Sequence, residues 1–203
     1  MVENMATVWD IRASLYDVCE ASDYRRGPQK AALFNKMRGH TLFAAIGTGV
    51  DIKHFPPGQS IAAIDISDKM LSKAEKRARQ YRGHLVLYRA DAQDLKFPNA
   101  SFDTVVTSCT MCSVPDPLRA FHELHRVLRP DGRLLMFEHV RSRNPILGLA
   151  LDWMTIWTRL SGTEMNRDTL KTAESAGFTI THIEGVYLDI ILAVHAIKCG
   201  PGP

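Results

Sequence analysis

Thr41-Leu-Phe-Ala-Ala-Ile-Gly47-Thr-Gly49-Val50 and, shortly after it, Ile61-Ala-Ala-Ile-Asp65 decide the fold. An apolar strand running into Gly47-Thr48-Gly49 lets the backbone approach a bound molecule closely, because glycine has no side chain and accepts a left-handed turn. Asp65 closes the second apolar run eighteen residues after Gly47, where a neighbouring parallel strand can offer a carboxylate to ribose hydroxyls. Ile52 stands where a dinucleotide-binding turn carries a third glycine, so the pattern favours a nucleoside ligand without phosphates.

Outward from this pair, apolar runs at 41–46, 60–65, 84–89, 102–108 and 133–139 alternate with helical patterns at 28–38, 67–80 and 117–128. That rhythm predicts parallel βαβ units and a doubly wound α/β sheet with helices on both faces. After Asp65, Ser67 reads as a helix N-cap, with Met70, Leu71 and Ala74 facing inward. Lys69, Lys73, Lys76, Arg77 and Arg79 then form a solvated outer face that can also touch lipid headgroups. Residues 178–185 and 188–198 read as two strands joined by a tight connection.

The 203 residues suffice for one compact domain that buries a core without disulfides or metal. A formal charge of +3 is far from the dense basic clustering of a nucleic-acid binder, and no nucleic-acid partner is expected. The opening Met-Val-Glu-Asn-Met-Ala-Thr-Val-Trp-Asp holds acids and no basic leader followed by an apolar core, so a cytoplasmic location is expected. Cys19, Cys109, Cys112 and Cys199 are too scattered for a disulfide framework. Cys109-x-x-Cys112 lacks the second pair of a zinc site, and no metal is expected; packing near the ligand is the better role for it.

Two segments lie outside the βα rhythm. In residues 5–24, Val8, Ile11, Leu15, Val18 and Cys19 recur at helical spacing, with Trp9 and Tyr16 on or near the stripe, which predicts an amphipathic helix. Pro145 to Leu160 is strongly apolar, yet Asp152 and Arg159 interrupt it and it falls short of the roughly 20 residues a spanning helix needs. Lying after the fifth strand, it is either a substrate- or membrane-facing element or a buried helix that covers the sheet.

Further motifs follow in order: Arg89-Ala-Asp91-Ala-Gln-Asp94-Leu-Lys-Phe-Pro98, Ser101-Phe-Asp103-Thr-Val-Val-Thr107, and Glu123-Leu-His-Arg-Val-Leu-Arg-Pro-Asp-Gly132-Arg-Leu-Leu-Met-Phe-Glu138. Together with the glycine turn and Asp65, these segments resemble the class I S-adenosylmethionine-dependent methyltransferases from about Tyr16 to about Ile197. The resemblance implies a Rossmann-like seven-stranded sheet with the last strand antiparallel. It implies S-adenosylmethionine as cofactor and S-adenosylhomocysteine as product. It also implies one domain over 1–203: a cap helix (1–27), a cofactor-binding core (28–140), an apolar substrate or membrane insertion (141–166), and a C-terminal helix with strand pair (167–203).

Carried over residue by residue, Gly47, Thr48 and Gly49 would line the amino-acid part of the cofactor. Asp65 with Ile66 would hold the ribose, Asp91 with Ala92 would sit at the adenine edge, and Thr107 and Ser108 would face the methionine moiety. The chain departs from the family pattern at Phe43 and Ala45, where an acid and a further glycine are usual.

Within the superfamily the chain is similar to the small bacterial phospholipid N-methyltransferases related to quinone-biosynthesis C-methyltransferases. The segments that carry this likeness are Tyr16-Asp17, Phe-Pro-Pro-Gly58, Cys-Ser-Val114, Phe137-Glu138-His139-Val140 and Gly162-Thr-x-x-Asn-Arg-Asp-Thr169. The implied reaction is stepwise methylation of phosphatidylethanolamine to phosphatidylcholine by a monomer at the anionic inner face of a membrane. A C- or S-methyltransferase acting on a quinone precursor or small thiol is the alternative.

An ammonium with pKa near 10.4 costs roughly 4–5 kcal/mol to deprotonate at neutral pH, so such a site needs a proton acceptor. Glu138 and His139, at the end of the fifth strand, are the candidates, with Tyr16 as a hydrogen-bonding aromatic lid. Arg25, Arg26, Arg141 and Arg143 are candidate phosphate partners, and Trp153 and Tyr187 candidate linings of the acceptor path.

Overall fold

A computed structural model describes residues 6–13, 23–159 and 162–198. Residues 6–13 are helical (α1), and the remaining order is α2 (Asp23–Phe34), β1 (His40–Ala44), β2 (Ser60–Asp65), α3 (Asp68–Ala78), β3 (His84–Arg89), β4 (Phe102–Ser108), α4 (Pro117–Val127), β5 (Leu128–His139), α5 (Pro145–Thr158), α6 (Thr169–Ser175), β6 (Phe178–Tyr187) and β7 (Ile191–Lys198). The stretch expected as one helix over 5–24 is described only in its first part, and Tyr16 lies outside the described residues. The helix expected at 28–38 starts earlier, at Asp23, and ends at Phe34, with Pro28 inside it.

The seven strands form one sheet in the order β3-β2-β1-β4-β5-β7-β6. β1 pairs in parallel with β2 on one side and β4 on the other, so the strand order reverses there, and doubly wound sheets bind ligands beyond the carboxyl ends at such a point. β7 runs antiparallel between β5 and β6. The sheet is the Rossmann-like arrangement expected from the sequence, with the last strand antiparallel.

Strand side chains alternate between two covered faces. Leu42, Ala62, Val105, Leu134 and Met136 pack with Phe121 and Leu124 of α4 and Ala173 of α6. Phe43, Ala63, Val106, Leu135 and Phe137 pack on the opposite side with Leu33 and Phe34 of α2 and Ala74 of α3. Phe43 thus fills an aromatic cluster with Phe34 and Phe55, at centroid distances of 5.7 and 5.1 Å, where the family pattern would place a charge. With both faces buried, the loops at the carboxyl edge are where this fold can hold a ligand.

Three of the helices start with side-chain N-caps, the one at Ser67 being the one read from the sequence. Ser67 accepts from Met70 N–H, Asp116 from Arg119 N–H ahead of Pro117, and Asn144 from Ile146 and Leu147 N–H ahead of Pro145.

Candidate functional site

The turn after β1 alternates into the left-handed region at Ala45 (φ 55°), Gly47 (φ 57°) and Gly49 (φ 81°). Glycine adopts this backbone at no steric cost, whereas Ala45 is strained there by roughly 1–2 kcal/mol. A side chain on Gly49 would come within 3.0 Å of Ala74 Cα, so this glycine lets α3 pack against the turn.

Asp65, at the end of β2, faces that turn. One of its carboxylate oxygens accepts Gly47 N–H at 2.8 Å and the other accepts Ser67 N–H at 2.9 Å. The ends of β1 and β2 are thereby tied through one carboxylate, whose remaining lone pairs are available to a ligand. Burial raises its pKa from the usual carboxylate range, with the backbone N–H groups working against that shift.

Beyond the carboxyl edge lies a cavity of about 580 Å³, within the size range of small-molecule sites. Ala45, Gly47, Asp65 and Ile66 form one wall, and Ala90 to Asp94 another. Ser108, Cys109, Thr110 and the 113–116 loop form a third, and Trp9 of α1 also lines the cavity. Asp91 accepts from Gln93 N–H and its side-chain amide, while Gln93 Oε1 accepts Asp116 N–H at 2.9 Å, which fixes two walls to each other.

A model of the methyltransferase-domain family matches residues 42–136, the segment that builds these walls. Human thiol S-methyltransferase TMT1B is 31% identical over 181 residues, covering 80% of this chain and 72% of that protein. The chain belongs to the class I S-adenosylmethionine-dependent methyltransferases. Phosphatidylethanolamine N-methyltransferase of Cereibacter sphaeroides is 32% identical over 57% of this chain and 59% of its own. The chain therefore spans about three fifths to three quarters of the length of these relatives. Among solved structures, a Thermotoga maritima S-adenosylmethionine-dependent methyltransferase superposes with a TM-score of 0.70 at 17% identity, over 96% of this chain and 99% of that one.

S-adenosylmethionine is the methyltransferase's cofactor, and the residues present fit it. The left-handed turn at Gly47 gives close backbone approach, Asp65 presents free lone pairs for vicinal hydroxyls, and Asp91 with Ala92 borders the space for an adenine. Of the remaining sequence candidates for this cofactor, Ile66 and Ser108 line the cavity. Thr48 and Gly49 lie behind its wall: the Thr48 carbonyl accepts from Arg77 at 2.6 Å. Thr107 is buried in β4.

α1, the start of the segment that the sequence reads as an amphipathic cap helix, brings Trp9 to the cavity wall of the methyltransferase. Asp10 accepts from Ser67 Oγ at 2.5 Å and from Lys69 N–H, so it sits over the start of α3 and has its own pKa lowered, chiefly by the Ser67 hydroxyl. Lys73 donates to the Ala13 carbonyl, and Arg12 donates to Thr163 Oγ1 at 3.1 Å. The basic run on α3 is therefore part latch: Lys73 holds α1 and Arg77 holds the glycine turn.

The expected proton acceptors lie elsewhere. Because side chains alternate along β5, Glu138 and His139 point to opposite faces of the sheet. Glu138 is buried and its carboxylate accepts Thr110 N–H at 3.0 Å and Met111 N–H at 3.2 Å, which holds the loop after β4. Burial pushes its pKa up to about 7. His139 is driven down to about 4 by burial and by the cations Arg26 and Lys30, and so stays neutral. Lys30 is itself buried, paired with Asp51 at 2.6 Å and stacked over Phe137. Neither Glu138 nor His139 borders the cavity.

The expected acceptor contacts are also displaced. Arg141 pairs its guanidinium with Asp152, at 3.1 and 2.8 Å. Trp153 and Tyr187 are exposed and away from the cavity wall, and the Arg25 side chain lies outside the described residues. Cys112 is buried, with burial raising its thiol to about 12, so it is inert as a nucleophile; Cys109 lines the cavity. Among the described residues, no cluster of His, Cys, Asp or Glu is arranged to hold a metal.

Proposed function

We propose that this methyltransferase acts on an apolar thiol. The observation that carries the reading is the orientation of Glu138 and His139, one tied to backbone N–H groups and the other on the far face of the sheet. Methyl transfer from a sulfonium is an in-line displacement, so the protein supplies alignment and exclusion of water, worth up to roughly 7–11 kcal/mol. Deprotonation of the acceptor is then the cost that the site does least to offset. A thiol with pKa near 8.5 ionises at neutral pH for about 2 kcal/mol, against roughly 4–5 kcal/mol for a primary ammonium. Ile64, Ile66, Met70, Val114 and Trp9 make the cavity wall suited to an apolar chain. The likeness to a thiol S-methyltransferase over 80% of this chain supports the same reading.

The sequence placed the phospholipid amine first, and one observation keeps it as the second reading. Asp91, Asp94 and Asp116 border the cavity and attract a cationic acceptor. Incubation with labelled S-adenosylmethionine and either an alkyl thiol or phosphatidylethanolamine vesicles separates the two. Label in the thioether supports the first reading, and label in methylated lipid overturns it.

A further inference from the structure

α5 is built inside out. Its inward side holds Gly148, Leu151 and Thr155, while Ile146, Leu149, Trp153, Ile156 and Trp157 stand on its outer side, with Ile146, Trp153 and Trp157 exposed at 78%, 65% and 73%. Their spacings of three, four, three and one residues put them in one stripe along the helix. Asp152, the helix's sole acid, is held by Arg141 and by Asn166 at 3.0 Å. An apolar stripe of this kind facing water marks an interaction surface rather than a covering helix.

We infer that the outer face of α5 docks the enzyme on a lipid bilayer, with the helix lying in the headgroup plane and the cavity mouth beside it. Fourteen residues give about 21 Å, short of a span, and no described helix is long and apolar enough to cross a membrane. Two tryptophans on the stripe suit the boundary between headgroups and acyl chains. Charge agrees with an anionic surface. Arg143 is exposed just before the helix, and among the described residues its guanidinium has no acidic partner. The nearby acids Asp152, Glu164 and Asp189 are tied to Arg141, to Arg159 and Arg167, and to Ser142 Oγ and Arg143 N–H.

Neighbouring elements continue the surface. Asp189 holds the β6–β7 turn against residues 142–143, and that turn exposes Tyr187 and Leu188. At the other end, Thr155 Oγ1 accepts Met165 N–H, and Arg167 donates to the carbonyls of Met111 and Val114 on the cavity loop. A docked α5 is therefore linked to the cavity loop through residues 165–167. The inference is independent of which acceptor is methylated.

The test is flotation of the full chain with phosphatidylcholine–phosphatidylglycerol vesicles, beside the W153S/W157S double variant and Ile146→Asp. Native protein floats with the vesicles, and each variant loses at least about tenfold in vesicle affinity with unchanged calorimetric binding of S-adenosylmethionine, as expected for removing a buried aromatic or aliphatic anchor. Equal flotation of native and variant protein, or no flotation of either, overturns the inference. So does a native dimer that the double variant converts to a monomer, which would give the face to a second copy. Thiol methylation in vesicle-free buffer reads the proposed function separately: its persistence without flotation sinks only the docking.

Discussion

The carboxylate of Asp65 accepts the backbone N–H of Gly47 at 2.8 Å, across the gap between the carboxyl ends of β2 and β1. One side chain thus both sets the glycine turn and presents lone pairs to the cavity. Asp65→Ala removes a charged acceptor, and hydrogen bonds to charged groups contribute about 1.5–3 kcal/mol. S-adenosylmethionine affinity is expected to fall roughly 10- to 150-fold by calorimetry. Asp65→Asn is expected to lose less, and unchanged affinity in both variants contradicts the assignment.

Ala45 holds a left-handed backbone that costs a residue with a Cβ roughly 1–2 kcal/mol. Ala45→Gly is expected to stabilise the fold by about 1 kcal/mol, the strain relief being offset in part by the entropy of the unfolded glycine. Urea unfolding measures it. A loss of stability would mean that the alanine methyl packs more tightly than the backbone is strained.

Glu138 and His139 titrate in opposite senses. With its pKa raised from 4.5 to about 7, Glu138 makes the folded state bind more protons than the unfolded one, so stability falls as pH rises through that window. With its pKa lowered from 6.5 to about 4, His139 makes the folded state bind fewer, so stability falls as pH drops through that window. Between about 4.5 and 6.5 the two slopes oppose each other, each at most about 1.4 kcal/mol per pH unit. Glu138→Gln is therefore expected to gain stability relative to the native protein as pH rises from 4.5 to 7. A pH-independent difference between the two unfolding curves would contradict the burial argument.

Trp9 lines the cavity from α1, which Asp10 and Lys73 hold to α3. Trp9→Ala is expected to weaken S-adenosylmethionine binding about three- to tenfold, the contribution of one aromatic contact. The readout is calorimetry, and equal affinity would show that α1 leaves the cofactor uncovered.

The sheet was legible because each strand announces itself as a short apolar run bounded by turn residues, and because Gly47 and Asp65 sit where β1 and β2 end. The direction of a side chain at a strand end was harder to read. Glu138 and His139 are neighbours in sequence and look like a pair, yet alternation sends one to the loop at Thr110 and the other toward Arg26 and Lys30. Gly49 illustrates another limit: its left-handed turn could be read from the sequence, but the close approach of Ala74 from α3 is a contact made only in three dimensions. Asp10 and Lys73 were likewise invisible as partners of α3 and α1, because a latch between distant segments leaves no periodic pattern. For α5, hydropathy alone allowed a buried or an outward helix, and the exposure of Ile146, Trp153 and Trp157 against the burial of Leu151 and Thr155 decides which side is wet.

A crystal structure with S-adenosylhomocysteine tests the central claim most directly. The account predicts the nucleoside between Gly47, Asp65 and Asp91, with ribose hydroxyls on the Asp65 carboxylate and the sulfur directed toward Ser108 and Thr110. Product bound elsewhere, or a cavity that excludes it while Asp65 keeps its bonds to Gly47 and Ser67, would contradict it.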